Sequence, residues 1–287
     1  MKLETLAARL TPLVPLLRCP QCGAPFTLPV ARSLLCEAGH CYDLSAKGYV
    51  NLAPGRDQRA DPYDAALFAS RARVFADGFY TPVAEALCAL IDRHAPPRSG
   101  EPLVAVDAGC GEGFYARTLA AHRPDALVLG IDLNREAILA AARQTPPLPW
   151  LVADLTRLPL RDGAADAVLD VLTPADYRAF ARVLKPEGLL YKAIPADDYL
   201  GELRRAAADS LREGEYHNAR VVEHMQAHTE VLEHQTVRHT YALTPAQAAD
   251  IKRMTPLTFG LTEAQREAIP LTQITVAMEL FACRPKR

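Results

Sequence analysis

The sequence predicts an α/β protein in which a parallel sheet carries helices on both faces and a small metal-stapled segment precedes it. Three observations lead there. From residue 102 onward, short apolar runs alternate with helical stretches, the pattern of parallel strands joined through crossover helices. The first of those strands runs directly into a glycine-rich turn. Ahead of it, residues 14–54 hold closely spaced cysteines in a stretch too small to fold on an apolar core alone.

Taken in order, the amino-terminal segment shows short β-type runs at Pro25-Phe26-Thr27-Leu28 and Ser33-Leu34-Leu35. Residues 55–63, polar and punctuated by Gly55 and Pro62, read as a linker. Helical patterning follows from Asp64 through Leu67, Phe68, Ala72 and Phe75, and again from Pro82 to about Arg93, before His94–Gly100 breaks it. Strands are then expected at Leu103–Val106, Leu127–Ile131, Leu151–Ala153, Ala167–Leu172 and Leu189–Ile194, with helices near 115–121, 135–143, 175–184 and 198–212. Residues 229–243 and 273–283 alternate as strands, separated by helical Pro245–Met254 and Glu263–Ala268. The chain thus divides into a metal-binding segment at 14–54, a linker at 55–63 and a large domain at 64–287.

Composition bounds the classes available. The chain has 287 residues, 49% hydrophobic and 23% charged, ordinary values for a soluble globular protein. It contains no run of about 18 apolar residues, and MKLETLAARL lacks a signal-peptide pattern. A cytoplasmic location away from membranes is expected. Seven cysteines, with Cys88 and Cys110 in apolar surroundings, fit reduced thiols or a metal site better than a disulfide framework. The net charge of −2 is unevenly spread: residues 1–75 hold nine Lys/Arg against six Asp/Glu, a balance of +3 that leaves −5 for the rest. A segment this mildly basic is usually a solvated face, so the charge alone does not mark an RNA-binding surface.

The strand Leu103–Val106 leads into Asp107-Ala108-Gly109-Cys110-Gly111-Glu112-Gly113-Phe114-Tyr115, and a helix follows. Glycines suit a tight strand-to-helix turn whose backbone angles are unusual and whose main chain a ligand must approach. Asp132 closes the next strand, 21 residues beyond Gly111, where a carboxylate can accept hydrogen bonds from a ribose diol. Asp154 ends the third strand, where it resembles the acid with which class I methyltransferases commonly contact the adenine amino group; capping of a following helix is its other reading. The series of Asp-x-Gly-x-Gly-x-Gly, ribose acid and adenine-side acid resembles that of class I S-adenosylmethionine-dependent methyltransferases. Their Rossmann-like sheet ends in a terminal hairpin of the kind expected at 229–283.

Cys19-Pro20-Gln21-Cys22 and Cys36-Glu37-Ala38-Gly39-His40 give C-x2-C-x13-C-x3-H. Two such knuckles close a tetrahedral zinc shell and supply the folding energy that the segment lacks. A redox Cys-x-x-Cys is the competing reading, and Cys41 offers an all-cysteine shell with Cys19, Cys22 and Cys36.

These knuckles, with Cys41-Tyr42-Asp43, Lys47-Gly48-Tyr49-Val50-Asn51-Leu52 and the Gly-Cys-Gly-Glu-Gly-Phe-Tyr loop, resemble the bacterial 23S ribosomal RNA guanine-N1 methyltransferases. Asp61-Pro62-Tyr63-Asp64, Arg73, Phe75, Gly78-Phe79-Tyr80, Leu184-Lys185-Pro186 and Met254-Thr255-Pro256-Leu257 extend the likeness in family order across nearly the whole chain. The resemblance implies zinc held by Cys19, Cys22, Cys36 and His40, with His40 ranking above Cys41. It implies S-adenosylmethionine contacts at Tyr80, Gly111, Glu112 and His217, alongside Asp107, Gly109, Gly113, Asp132 and Asp154 of the motif series. Ribosomal RNA as substrate and a homodimer are implied as well. Thr173-Pro174-Ala175 retains only the proline of the family pattern, so the target-base pocket is the least transferable part.

Guanine N1 carries a proton at neutral pH and lies on the Watson–Crick edge, so its methylation requires an exposed base and a route for that proton. Asp170 and Asp176 flank the end of the fourth strand and are candidate bases on position alone, but structural or solvent-facing roles suit each better, and neither is assigned as a base. Two other functions use the same residues: a small-molecule methyltransferase with a zinc lid, and a zinc-ribbon RNA-binding protein with a vestigial enzyme fold. The intact Asp107, glycines and Asp132 oppose the second.

Overall fold

The computed structural model describes residues 3–28, 32–55, 63–95, 100–145, 147–208 and 218–286. It opens with a helix, α1 (Leu3–Leu10), followed by a small antiparallel sheet of β1 (Phe26–Thr27), β2 (Ser33–Cys36) and β3 (Cys41–Asp43). After β4 (Val50–Asn51) come α2 (Ala65–Ala76) and α3 (Thr81–His94). The alternating part runs β5 (Val104–Ala108), α4 (Phe114–His122), β6 (Leu127–Asp132), α5 (Arg135–Ala142), β7 (Trp150–Val152), β8 (Ala165–Val171), α6 (Tyr177–Val183) and β9 (Leu184–Pro195). The chain ends with α7 (Gly201–Ala206), α8 (Ala219–His228), β10 (Thr229–Ala242), α9 (Pro245–Met254), α10 (Glu263–Ala268) and β11 (Gln273–Pro285).

Local chemistry sets several helix starts. Asp64, Asn134 and Asp176 accept hydrogen bonds from otherwise unpaired first-turn N–H groups of α2, α5 and α6. Thr244 with Gln247 and Thr262 with Gln265 form reciprocal capping boxes that open α9 and α10.

The main sheet has eight strands in the order β10-β11-β9-β8-β5-β6-β7-β4. Strands β9, β8, β5, β6, β7 and β4 pair in parallel, and β11 joins β9 and β10 antiparallel. The parallel sheet and its terminal hairpin are as expected. Strand order reverses at β5, and a crevice at the carboxyl ends of strands beside such a point is where α/β sheets bind ligands.

Side chains of β5 alternate between the faces: Ala105 enters one core with residues of α3, α4, α5 and α9, whereas Val104 and Val106 enter a second with α1, the zinc-ligand segment, α6 and Met225 of α8. The amino-terminal segment is therefore built into the second core. Its β4 also forms the outermost strand of the main sheet, with Val50 opposite Leu151 and Asn51 opposite Val152. This pairing was not expected, nor were α1 and α8. Of the helix anticipated at 198–212, residues 201–206 are helical and 209–212 lie outside the described residues, as do residues 56–62 of the expected linker. Among the described residues no single helix is long and apolar enough to cross a membrane.

Candidate metal centre and cofactor cleft

The ligand atoms of Cys19, Cys22, Cys36 and His40 lie within 4.8 Å of one another. Cys22 Sγ is 3.7 Å from Cys36 Sγ, and His40 Nδ1 is 3.3 Å from Cys36 Sγ and 3.6 Å from Cys19 Sγ. A tetrahedron with zinc–sulfur bonds of about 2.3 Å has ligand separations of about 3.8 Å, shorter where nitrogen replaces sulfur. The donors thus stand where zinc would hold them. Burial raises the Cys19 thiol, but the N–H groups of Cys22 and Gln21 and the Tyr42 hydroxyl more than offset this and lower it to about 7, which favours the ligating thiolate. Cys41 is exposed on β3, with its sulfur toward Asp43, and stands outside the cluster. The spacing alone could not separate it from His40; the geometry does, since His40 Nδ1 faces the sulfurs of Cys19 and Cys36 while the Cys41 sulfur faces Asp43.

Between β5 and α4 the three loop glycines adopt left-handed φ angles of +79° at Gly109, +56° at Gly111 and +77° at Gly113. What a side chain would meet there is mainly protein. A Cβ at Gly109 would collide with Thr173, and one at Gly113 would enter the Trp150 ring, with Cζ3 at 2.8 Å. Asp132, at the end of β6, accepts the Gly111 N–H at 2.9 Å and the Asn134 N–H at 2.8 Å. It therefore pins the loop as well as standing beside it. Asp154 accepts from the Thr156 N–H and hydroxyl, so it caps a short turn while remaining at the carboxyl end of β7.

Asp107 is fully enclosed beneath the loop, and its carboxylate accepts the Ala116 N–H at 3.1 Å. Burial, only partly offset by that bond, pushes its pKa up to about 7. Glu112 is also buried; burial raises its pKa, and the guanidinium of Arg71 at 3.2 Å opposes the shift. Neither Glu112 oxygen has a hydrogen bond among the described residues. Tyr80, almost wholly buried at the start of α3, bonds through its hydroxyl to that of Tyr199 at 2.6 Å. His217 lies outside the described residues.

A cavity of about 1510 Å³ opens beyond the carboxyl ends of β8 and β9. Tyr80, Arg71 and Thr173 line it on the loop side; Tyr177, Lys192, Arg220 and His224 line the other. The loop glycines stand directly behind this wall, since the Cβ positions of Gly109 and Gly111 face Thr173 and Arg71. The left-handed cradle, the buried Glu112 carboxylate paired with Arg71 and Asp132 beside the main chain fit an S-adenosylmethionine site at the carboxyl edge of β5, β6 and β7.

Arg71 and Lys192 are among the charged residues at this cavity that were not singled out from the sequence. Arg71 lies on α2, two residues before the Arg73 of the family likeness. Lys192 lies on β9 directly opposite Asp170 of β8, and the two form an ion pair at 2.5 Å with side chains 3% and 0% exposed. Asp176 is occupied in capping α6.

A sheet that reverses at β5, a glycine loop with an acid closing the neighbouring strand, and a Cys3His cluster ahead of them define a class I S-adenosylmethionine-dependent methyltransferase bearing a zinc ribbon. Residues 105–188 match the family described as "Methyltransferase domain", and residues 17–60 match the zinc ribbon described as "RlmA, N-terminal". The chain is 36% identical over 251 residues to "Putative 23S rRNA (guanine-N(1)-)-methyltransferase YxjB" of Bacillus subtilis, across 85% of this chain and 86% of that protein. It is 33% identical over 276 residues to the 23S rRNA (guanine(748)-N(1))-methyltransferase of Streptomyces fradiae, across 94% and 96% of the two chains. A malonyl-[acyl-carrier protein] O-methyltransferase of Laribacter hongkongensis is 38% identical, but across 40% of this chain and 43% of its own. The chain belongs to the 23S rRNA (guanine-N1)-methyltransferase family.

Proposed function

We propose that the protein transfers a methyl group from S-adenosylmethionine to N1 of a guanine in 23S ribosomal RNA. The observation that carries this reading is the extent of the likeness. Relatives named for that reaction match through zinc ribbon and sheet together, whereas the acyl-carrier methyltransferase covers 40% of the chain. A small-molecule methyltransferase would need the sheet alone.

S-adenosylmethionine, when bound, supplies an electrophilic methyl on a sulfonium. The chain's own work is positioning. Asp132 and the loop it pins hold the ribose, and Tyr80 with the buried Glu112 and Arg71 shape the wall facing the cavity. The cavity, at about 1510 Å³, is large enough for an unstacked base as well. Arg204, Arg205 and Arg220 line it and suit the phosphates flanking such a base. The zinc ribbon, on the second core, holds RNA or braces the sheet.

The test uses purified protein, labelled S-adenosylmethionine and unmodified 23S RNA. Methyl transfer to the RNA, with reverse transcriptase stopping one nucleotide before a single guanine, is the expected result, because N1 methylation blocks the pairing edge. Label transferred only to a metabolite pool, or to an RNA position that leaves the edge free, would overturn the reading.

A further inference from the structure

The ion pair of Asp170 and Lys192 is an unusual thing to find at the wall of a cavity. Two charges withdrawn from water lose hydration on the scale of what their attraction returns, and an apolar pair of similar size is often at least as stable. The neighbourhood supports the pair only thinly. One Asp170 oxygen meets Lys192 Nζ, and the other, Oδ1, is buried with no hydrogen bond among the described residues. An ammonium has three donors. Asp170 is the one hydrogen-bond partner of this ammonium among the described residues, and the Tyr177 ring lies 5.9 Å away. Lys192 is thus a fixed, desolvated cation at the cavity with two donors to spare.

We propose that Lys192, held by Asp170, recognises the O6 carbonyl of the target guanine and carries the charge that develops there as N1 is methylated. This rests on the methyltransferase reading given above. The chemistry balances simply: the N1–H bond breaks and its proton passes to water in the open cavity, the N1–CH3 bond forms, and the S–CH3 bond breaks with its electrons retained by sulfur. As the N1 proton leaves, negative charge is shared between N1 and O6. A cation against O6 lowers the free energy of that state, and a low-dielectric wall strengthens the effect. Asp170 does not touch the base; it is a positioning residue that fixes the ammonium. The same donor also selects guanine, since adenine presents an amino group where guanine presents O6, and two donors would then face each other.

Two variants test this under single-turnover conditions with unmodified 23S RNA. Lys192→Met removes the cation, and Asp170→Asn combined with Lys192→Met removes both charges so that no unpaired carboxylate is buried. In the wild type the rate should level off as pH rises. In either variant it should fall about 100-fold, the scale for one lost transition-state donor, and then climb with pH as hydroxide takes over removal of the proton. S-adenosylmethionine affinity by calorimetry should be unchanged. Lys192→Arg should recover part of the rate, because it keeps the charge. Wild-type rate and pH profile in the variants would overturn the proposal, and so would loss of fold or of cofactor binding in the double variant, which would assign the pair to the fold. A wild-type protein that methylates no RNA would instead overturn the function on which the proposal rests.

Discussion

The indole ring of Trp150 on β7 fills the space that a side chain at Gly113 would require, so the glycine loop and the third parallel strand are fitted to each other across β6. Gly113 is also left-handed, at φ +77°. Gly113→Ala should therefore destabilise the fold by about 1–3 kcal/mol through overpacking, with about 1–2 kcal/mol more from the left-handed backbone. Thermal unfolding checks this. Trp150→Phe in the same chain should restore part of the loss, and additive losses in the pair would show that the two residues do not compete for space. Trp150 is the chain's one tryptophan, so its fluorescence should also report cofactor binding to the loop.

The metal centre predicts about one zinc per chain. Cys19→Ala and Cys36→Ala should lose the metal, whereas Cys41→Ser should keep it because that thiol lies outside the cluster. Metal analysis of the purified variants decides, and equal zinc in all three would exclude the assigned shell.

Asp132 accepts N–H groups from both Gly111 and Asn134. Asp132→Ala should weaken S-adenosylmethionine binding by about 1.5–3 kcal/mol, the range for hydrogen bonds to a charged group, and should lower the melting temperature as well. Asp132→Asn, which keeps an acceptor, should lose less of both. Calorimetry showing full cofactor affinity in the alanine variant would remove Asp132 from the site.

Asp107 predicts a pH dependence. Burial raises its folded-state pKa to about 7, above the unfolded value of about 3.9. Between those values the folded form keeps a proton that the unfolded chain releases. The resulting stability is fully present below about pH 4 and is lost as pH rises to about 7. Asp107→Asn, neutral throughout and still able to accept the Ala116 N–H, should become progressively more stable than the wild type from pH 5 to 7 and level off above. Chemical denaturation across that range, showing a constant difference, would contradict this.

Deleting residues 1–54 should collapse the fold rather than yield a cofactor-binding fragment. The deletion removes Leu6, Leu10, Leu17 and Val50 from a shared core and uncovers the edge of β7. A soluble truncated protein that binds S-adenosylmethionine would show the ribbon to be dispensable for folding.

The alternating strands, the helices beginning near Asp64, Pro245 and Glu263, and the two metal knuckles were legible because each is written in local spacing, whereas the choice of His40 over Cys41 came from the family resemblance. The Asp170–Lys192 pair was not, since it joins neighbouring parallel strands 22 residues apart and neither residue carries a local signal. Val50-Asn51 reads as part of the zinc segment for the same reason: its partner is β7, far along the chain. Helix α8 was missed because its apolar stripe is thin, with Met225 its one buried residue. Glycines at 109 and 113 were read correctly as backbone necessities, but the atoms that exclude a side chain there are those of Thr173 and Trp150.

The pairing of Val50 with Leu151 also sets an order of events during synthesis. About 100 residues separate the partners, so at ordinary translation rates β7 leaves the ribosome roughly 5–20 s after β4. In that interval the zinc ligands, all upstream, can capture their ion and fold the segment before the sheet it must seal exists. A chain made without zinc would instead reach completion with the β7 edge bare and the second core open, the kind of exposed strand that pairs with another molecule. Scarcity of the metal would then act first on the yield of folded protein, as aggregation of newly made chains, and only afterwards on activity.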